Sequence, residues 1–261
     1  MKLLIGWLKK LKVGRHVSEE IVYGVHASME ALENNQTINK LYLSKSLAKN
    51  RAQQFRQTAE KNKIVVQEVD NQRLDELTNH GNHQGIALSI AAYEYVPLDD
   101  ILNGIKGHDP FLVILDEIED PHNLGSILRT ADATGVDGII IPKRRAVQLT
   151  QVVAKTSTGA IEYVPVARVV NINNTIDKLK KANFWIFGTD MKGADYNDWN
   201  ADGPVAIVIG NEGKGISAQT KKKVDQMLTI PMVGHVQSLN ASVAAALLIY
   251  QGFNSRRLKN K

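Results

Sequence analysis

The sequence contains no cysteine. That single absence removes disulfides, thiolate metal sites and cysteine nucleophiles together, and it fits a reducing cytoplasm as the expected compartment. A membrane signal is missing from the N-terminus as well. The apolar stretch from Leu3 to Leu8 is too short for a secretory h-region, lacks a small-residue cleavage site and cannot span a bilayer. Two common nucleotide fingerprints are also absent where they would be sought. The glycines of AIVIGNEGKGIS (residues 206–217) match neither GxxxxGK[ST] nor GxGxxG, which excludes a P-loop and a dinucleotide turn. No metal is expected.

Acidic residues are missing from the first 18 positions, which carry Lys2, Lys9, Lys10, Lys12 and Arg15. The whole formal charge of +5 therefore sits in this leader, and the body of the chain is neutral. An electrostatic case for RNA then rests on local patches: Lys143-Arg144-Arg145, Lys221-Lys222-Lys223, and the tail Arg256, Arg257, Lys259 and Lys261. Each patch also reads as ordinary solvated surface. Residues 1–20 read as a basic extension that stays poorly ordered, because termini are loose unless tied down.

What is present is an ordinary globular composition, 43% hydrophobic and 23% charged, in a chain of 261 residues. That length accommodates one large domain or two small ones with a proper core. Along residues 21–95 the pattern alternates: helix (His26 to Glu33), strand (Lys40 to Ser44), helix (Leu47 to Lys61), strand (Ile64 to Val69), helix (Gln72 to Asn79) and strand (Ile86 to Ala92). This predicts a small α/β domain. Residues 96–109, punctuated by proline and glycine, read as a linker. From residue 110 to 261 strands are expected at Phe111 to Asp116, Gly138 to Ile141, Tyr163 to Val166, Phe184 to Gly188, Val205 to Gly210 and Met227 to Ile230, with helices between them. The fold class is thus α/β with a parallel sheet, whose ligands bind beyond the carboxyl ends of the strands.

Three strand ends carry unusual chemistry. After Phe111 to Asp116, the segment PHNLGSILRTADAT places Leu124, Ile127, Leu128 and Ala131 at helical spacing. Arg129 lies six residues beyond Asn123, about 9 Å along a helix axis. Its fork of donors suits a phosphate or carboxylate, and a surface salt bridge to Asp132 or Glu117 is the competing reading. After Val205 to Gly210, the glycines 210, 213 and 215 permit close backbone approach and an amide cradle. Glu212 within that turn would repel nucleotide phosphates. After Met227 to Ile230, the stretch VGHVQSLNASVAAALLIY sets Ser238, Asn240 and Ser242 at the mouth of a long apolar helix. Helix capping accounts for any one of the three. Together, after a proline-glycine loop, they point to a binding site.

These motifs, in this order, resemble the SpoU family, the knotted RNA ribose 2′-O-methyltransferases also called the TrmH family. The resemblance rests on Asn123, Gly125 and Arg129, then IVIGNEGKGIS, then IPMVGHVQSLNASVAAALLIY, and spans residues 111 to about 253. YGVHASMEALE (residues 23–33) and NHQGIAL (residues 82–88) resemble the ribosomal protein L30e-like substrate-binding domain of some members. That architecture is most similar to the RlmB branch, which methylates a guanosine of 23S rRNA. The resemblance implies a C-terminal trefoil-knot domain, a homodimer packed through it, an RNA partner and S-adenosylmethionine as cofactor. It implies that Gly210, Ile230 and Leu239 surround the adenosine, with Gly188, Thr189, Met232 and Ser238 close by and Asn211, Gly213 and Ser242 completing the set. It also implies a catalytic group of Asn123, Arg129, Glu212 and Asn240.

Overall fold

The computed structural model describes residues 21–33, 37–90, 93–236 and 238–259; the basic leader, the last residues of the first-half strand at Ala91 and Ala92, and Lys261 of the tail patch lie outside them. The chain forms two compact units. One holds residues 21–94 together with the short stretch Gln148–Gln151, and the other holds Tyr95–Val147 and the chain from Val152 onward.

The first unit is a four-stranded mixed sheet. Its elements are β1 (Ile21–Tyr23), α1 (Val25–Glu33), β2 (Ile38–Ser44), α2 (Lys49–Lys61), β3 (Val65–Val69), α3 (Asn71–Leu77) and β4 (Ile86–Ile90), in the sheet order β1-β4-β2-β3. Only β2 and β3 run parallel; β4 is antiparallel to both β1 and β2. Leu41, Leu43, Phe55, Ala59, Ile86 and Leu88 form its buried core. Each of those six side chains is at most 1% exposed.

The second unit contains α4 (Leu98–Gly104), β5 (Phe111–Asp116), α5 (Pro121–Thr134), β6 (Gly138–Pro142), α6 (Gln151–Ser157), β7 (Val166–Val169), α7 (Ile172–Lys181), β8 (Trp185–Asp195), β9 (Val205–Gly210), α8 (Ala218–Lys221), β10 (Gln226–Thr229) and α9 (Ala241–Lys259). Its six strands lie in the order β10-β8-β9-β5-β6-β7 and every pairing is parallel. Central β5 and β9 are buried at every residue. Their unbroken apolar runs, FLVILD and VAIVIG, are what a strand covered on both faces requires.

Local chemistry sets the element ends. Asp120 caps α5 by accepting from the His122 amide at 2.8 Å, and Pro121 occupies the first helical position, where its missing N–H costs nothing. Gly135, at φ 72°, closes that helix in a left-handed turn. The helix therefore takes in Pro121 to Asn123 as its first turn.

Two sequence expectations need correction. The linker contains a helix, α4, whose Ile101 is 1% exposed and packs in the same core as Leu112, Ile114 and Ile140. The strand expected at Tyr163 to Val166 lies later, at Val166–Val169, because residues 160–162 form a short 3-10 turn instead. Among the described residues no helix is long and apolar enough to cross a membrane.

Candidate active site

The carboxyl ends of β9 and β10 and the middle of β8 open onto a cavity of about 390 Å³. Its position beyond the strand ends is where parallel α/β sheets place ligands. Apolar walls come from Ile209, Leu228, Ile230, Leu239 and Ala244, and the rest is largely backbone of the 210–215 turn.

That turn is shaped by close approach of main chain to main chain. Asn211 and Gly215 exchange two backbone hydrogen bonds, of 3.2 and 2.7 Å. A side chain at Gly210 would meet the Gly215 carbonyl oxygen at 2.5 Å, so only glycine fits. Gly215 has φ 65° and open space around it, which makes its requirement conformational. The Asn211 side chain staples the turn, accepting from the amides of Gly213 and Lys214 and donating to the Glu117 carbonyl at 3.1 Å. The neighbouring Asp116 carboxylate accepts from the Ser217 amide at 3.0 Å.

Beside the cavity, three distant segments meet in one hydrogen-bond chain. The amide of Asn123 donates to Glu212, and the amide of Asn240 donates to the Asn123 side-chain oxygen at 2.9 Å. Asn123 is only 4% exposed, so its bonds form away from competing water. Asn240 also caps α9: its side-chain oxygen accepts from the Ser242 and Val243 amides at 2.9 and 3.3 Å and from the Ser242 hydroxyl at 2.6 Å. Its amide thus serves the chain while its oxygen serves the helix.

Of the residues expected around a cofactor, Thr189, Gly210, Asn211, Gly213, Ile230, Met232, Ser238 and Leu239 line the cavity, together with Glu212. Gly188 and Ser242 do not. Gly188 is buried beneath it, where a side chain would strike the Met227 sulfur, and Ser242 is held by Asn240 and faces a second cavity between α5 and α9. Asn123 and Asn240 flank the cavity through their bonds, whereas Arg129 joins none of this. Arg129 is exposed on α5 and makes no hydrogen bond or ion pair among the described residues. The competing reading, a surface salt bridge to Asp132 or Glu117, is not met among the described residues, where Arg145 is the partner of Glu117 at 3.2 Å.

Sequence reasoning missed Asp190, Met191, Lys221 and Thr229, all of which line the cavity. Their only signal was position: Asp190 and Met191 continue β8 past Gly188, and Thr229 ends β10. Lys221 ion-pairs with Asp190, and this contact above all holds the Asp190 carboxyl below the usual carboxylate range. Lys223 pairs with Asp177. The Lys221–Lys223 patch is therefore largely spent on intramolecular pairs.

Arg256 is withdrawn from the basic tail in a different way. It donates to the backbone carbonyls of Ala201, Asp109, Pro110 and Gly203 at 2.6 to 2.9 Å, and burial lowers its pKa. It clamps chain segments together and is not available to RNA.

Residues 110–250 match the SpoU rRNA methylase family, and residues 21–96 match the RNA 2′-O ribose methyltransferase substrate-binding family. The chain belongs to the SpoU rRNA methylase family. Among curated relatives, a protein of Staphylococcus haemolyticus assigned to the TrmH family of tRNA/rRNA methyltransferases is 51% identical over 90% of this chain and 96% of its own. Among solved structures, the SpoU methyltransferase AviRb from Streptomyces viridochromogenes, crystallised with AdoMet, aligns at TM-score 0.59 and 25% identity, covering 99% of this chain and all of that one. An RNA 2′-O ribose methyltransferase aligns at TM-score 0.54 and 25% identity over 98% and 95% of the two chains. Membership in the SpoU family makes this chain an RNA methyltransferase, with a substrate-binding unit ahead of its parallel-sheet SpoU unit.

Proposed function

We propose that the protein transfers a methyl group from S-adenosylmethionine to a ribose 2′-hydroxyl of 23S rRNA, at a guanosine. The reading rests above all on the Glu212–Asn123–Asn240 chain, which ties the three family motifs together beside a cavity built from strand ends. When bound, the cofactor supplies an activated methyl group, so the protein's task is alignment and charge stabilisation.

The cavity's chemistry suits this cofactor. Gly210, Ile230 and Leu239 would hold the adenine through their backbone, and the apolar side chains of Ile209, Leu228 and Ala244 would give it an apolar surround. Thr189, Met232 and Ser238 border the same space, and the paired Asp190 and Lys221 sit at its polar end. A hydrogen-bonded Asn123 amide keeps Glu212 oriented, and Asn240 fixes the Asn123 rotamer in turn. Arg129 remains protonated at any physiological pH. Its role is therefore to hold an RNA phosphate and stabilise charge developing on the ribose oxygen, and not to remove the proton.

The unit acts as a homodimer. Val243 and Tyr250 leave 48% and 46% of their surface exposed on α9, along the second cavity, which α5 also lines through Ser126 and Thr130. Sedimentation at micromolar concentration is expected to give a dimer.

Two measurements test the reaction. Calorimetry with S-adenosylmethionine, NAD and ATP is expected to detect binding of the first alone; no binding overturns the proposal. Mapping ribose methylation on 23S rRNA from a deletion strain is expected to show one missing guanosine mark. Loss of a tRNA mark instead would reassign the substrate while keeping the chemistry.

A further inference from the structure

The first unit contains a cavity of about 480 Å³ that the methyl-transfer site does not use. We infer that it is a subsite for a single unpaired nucleobase of the RNA substrate, an inference that rests on the RNA methyltransferase reading above. Four features carry it.

The lining excludes charged ligands. Ser44, Ser46, Asn71, Asn82 and the 81–85 loop supply hydroxyls, amides and backbone, with no lysine or arginine. The one carboxylate in the wall, Asp75, is engaged by the His83 ring Nε2 at 3.0 Å. A phosphate finds no cation there, and a cation finds no free acid. A neutral, planar, hydrogen-bonding group is the match.

Hydrogen-bonding capacity is left over at the mouth. The Asn71 side-chain oxygen accepts from the Ser44 and Ser46 hydroxyls at 2.5 and 3.4 Å, and its amide group makes no hydrogen bond among the described residues. Asn82 is exposed and its side chain makes no hydrogen bond among the described residues. A carboxamide offers a donor and an acceptor side by side, the complement of a base edge.

The cavity is also rigid before any ligand arrives. Asn79, His80 and Gln84 hold φ values of 50°, 58° and 51°, a left-handed conformation that side chains disfavour. Bonds to neighbouring backbone hold the loop there: His83 Nδ1 accepts from the Gly85 amide at 2.9 Å and Gln84 accepts from the Val25 amide at 3.1 Å. A preorganised wall loses little freedom on binding.

An aromatic ring stands next to the lining. A side chain at Gly81, which lines the cavity, would meet the Tyr23 ring at 2.6 Å, and Tyr23 remains 39% exposed. An aromatic face beside an amide-lined slot is how single-stranded RNA is read, by stacking plus edge hydrogen bonds. Bases inside a duplex present neither face, so the occupant is a looped-out nucleotide.

The test uses the full-length protein, unmodified 23S rRNA transcript and tritiated S-adenosylmethionine. Asn71 and Asn82 are both exposed, so the double variant Asn71→Ala, Asn82→Ala is expected to fold, checked by circular dichroism. Its KM for RNA should rise about tenfold or more, with kcat within twofold and cofactor affinity unchanged. An unchanged KM, or a fall in kcat alone, overturns the subsite. If the wild-type protein transfers no methyl group to this RNA, the proposed reaction fails and the subsite is judged by crosslinking. A 4-thiouridine-substituted transcript should then crosslink to residues 44–48 or 71–85, and crosslinks confined to other segments refute the inference.

Discussion

Gly210→Ala is the sharpest perturbation available, because everything its methyl group would strike is backbone. The added carbon would sit 2.5 Å from the Gly215 carbonyl oxygen, and closer still to the Gly215 carbonyl carbon and the Ile216 nitrogen. Reaching ordinary van der Waals separation requires the main chain of the turn to retreat by about 1 Å. Overpacking of this kind costs roughly 1–3 kcal/mol. The displacement also breaks the two Asn211–Gly215 backbone bonds, each contributing about 0.5–1.5 kcal/mol. Together the loss is about 2–6 kcal/mol, a large share of the roughly 5–15 kcal/mol that holds a typical domain folded. Urea unfolding followed by tryptophan fluorescence measures it, since Trp185 and Trp199 both lie in the affected unit. Calorimetric titration with S-adenosylmethionine is expected to show binding weakened at least a hundredfold in whatever fraction remains folded. Gly213→Ala is the control: its nearest neighbour would be the Asn211 side-chain oxygen at 3.6 Å, so stability should change by less than about 0.5 kcal/mol. Native stability and cofactor affinity in Gly210→Ala would refute the argument that this turn is built by main-chain approach.

Other perturbations separate structure from chemistry. Arg129→Ala should leave the urea midpoint unchanged, because the side chain is exposed and unpaired, while turnover falls about a hundredfold or more; lost stability with normal turnover would reverse the assignment. Arg256→Met should do the opposite, costing about 3 kcal/mol or more in urea unfolding through its four orphaned carbonyls, with RNA affinity in the folded protein unaltered. Asn123→Ala removes the central link of the chain, and a fall in kcat of about tenfold or more with cofactor affinity within threefold is the expected outcome of steady-state kinetics. For Asp190, whose carboxyl is held below its ordinary pKa chiefly by Lys221, the linked stabilisation is present above the ordinary carboxylate range and disappears as pH falls through the lower folded-state value. Lys221→Ala should move the Asp190 carboxyl titration upward by NMR, and an unmoved titration would show that the pair is not its cause.

The sequence made the central sheet legible because burial on both faces leaves a plain mark: FLVILD and VAIVIG are apolar without interruption. The first turn of α9 was legible for a related reason, since Asn240 and Ser242 are polar where packing asks for nothing polar. Helix α4 was hidden because Pro97 and Gly104 bound a short segment that looks like loop, and only tertiary packing reveals Ile101 as core. Ser242 looked like a cofactor ligand because sequence cannot say that its hydroxyl is already consumed by Asn240. The basic tail misled in the same manner: charge counts register Arg256 as available, whereas backbone carbonyls from residues 109, 110, 201 and 203 have claimed it. Asp190 and Met191 carried no signal beyond their position, because β8 runs on past the apolar residues that announced it.

The cavity at the strand ends has a consequence for synthesis on the ribosome. Every residue that lines it lies between Thr189 and Ala244. While the first 188 residues emerge, β5, β6 and β7 can form, yet no residue of this cavity exists. At about 5–20 residues per second, several seconds separate those strands from the first chain long enough to bind the cofactor. A methyl donor held in this cavity would therefore not guide early folding and would only lock a nearly finished chain. A nascent protein stalled before α9 would carry an intact RNA-binding unit with no means of modifying what it binds.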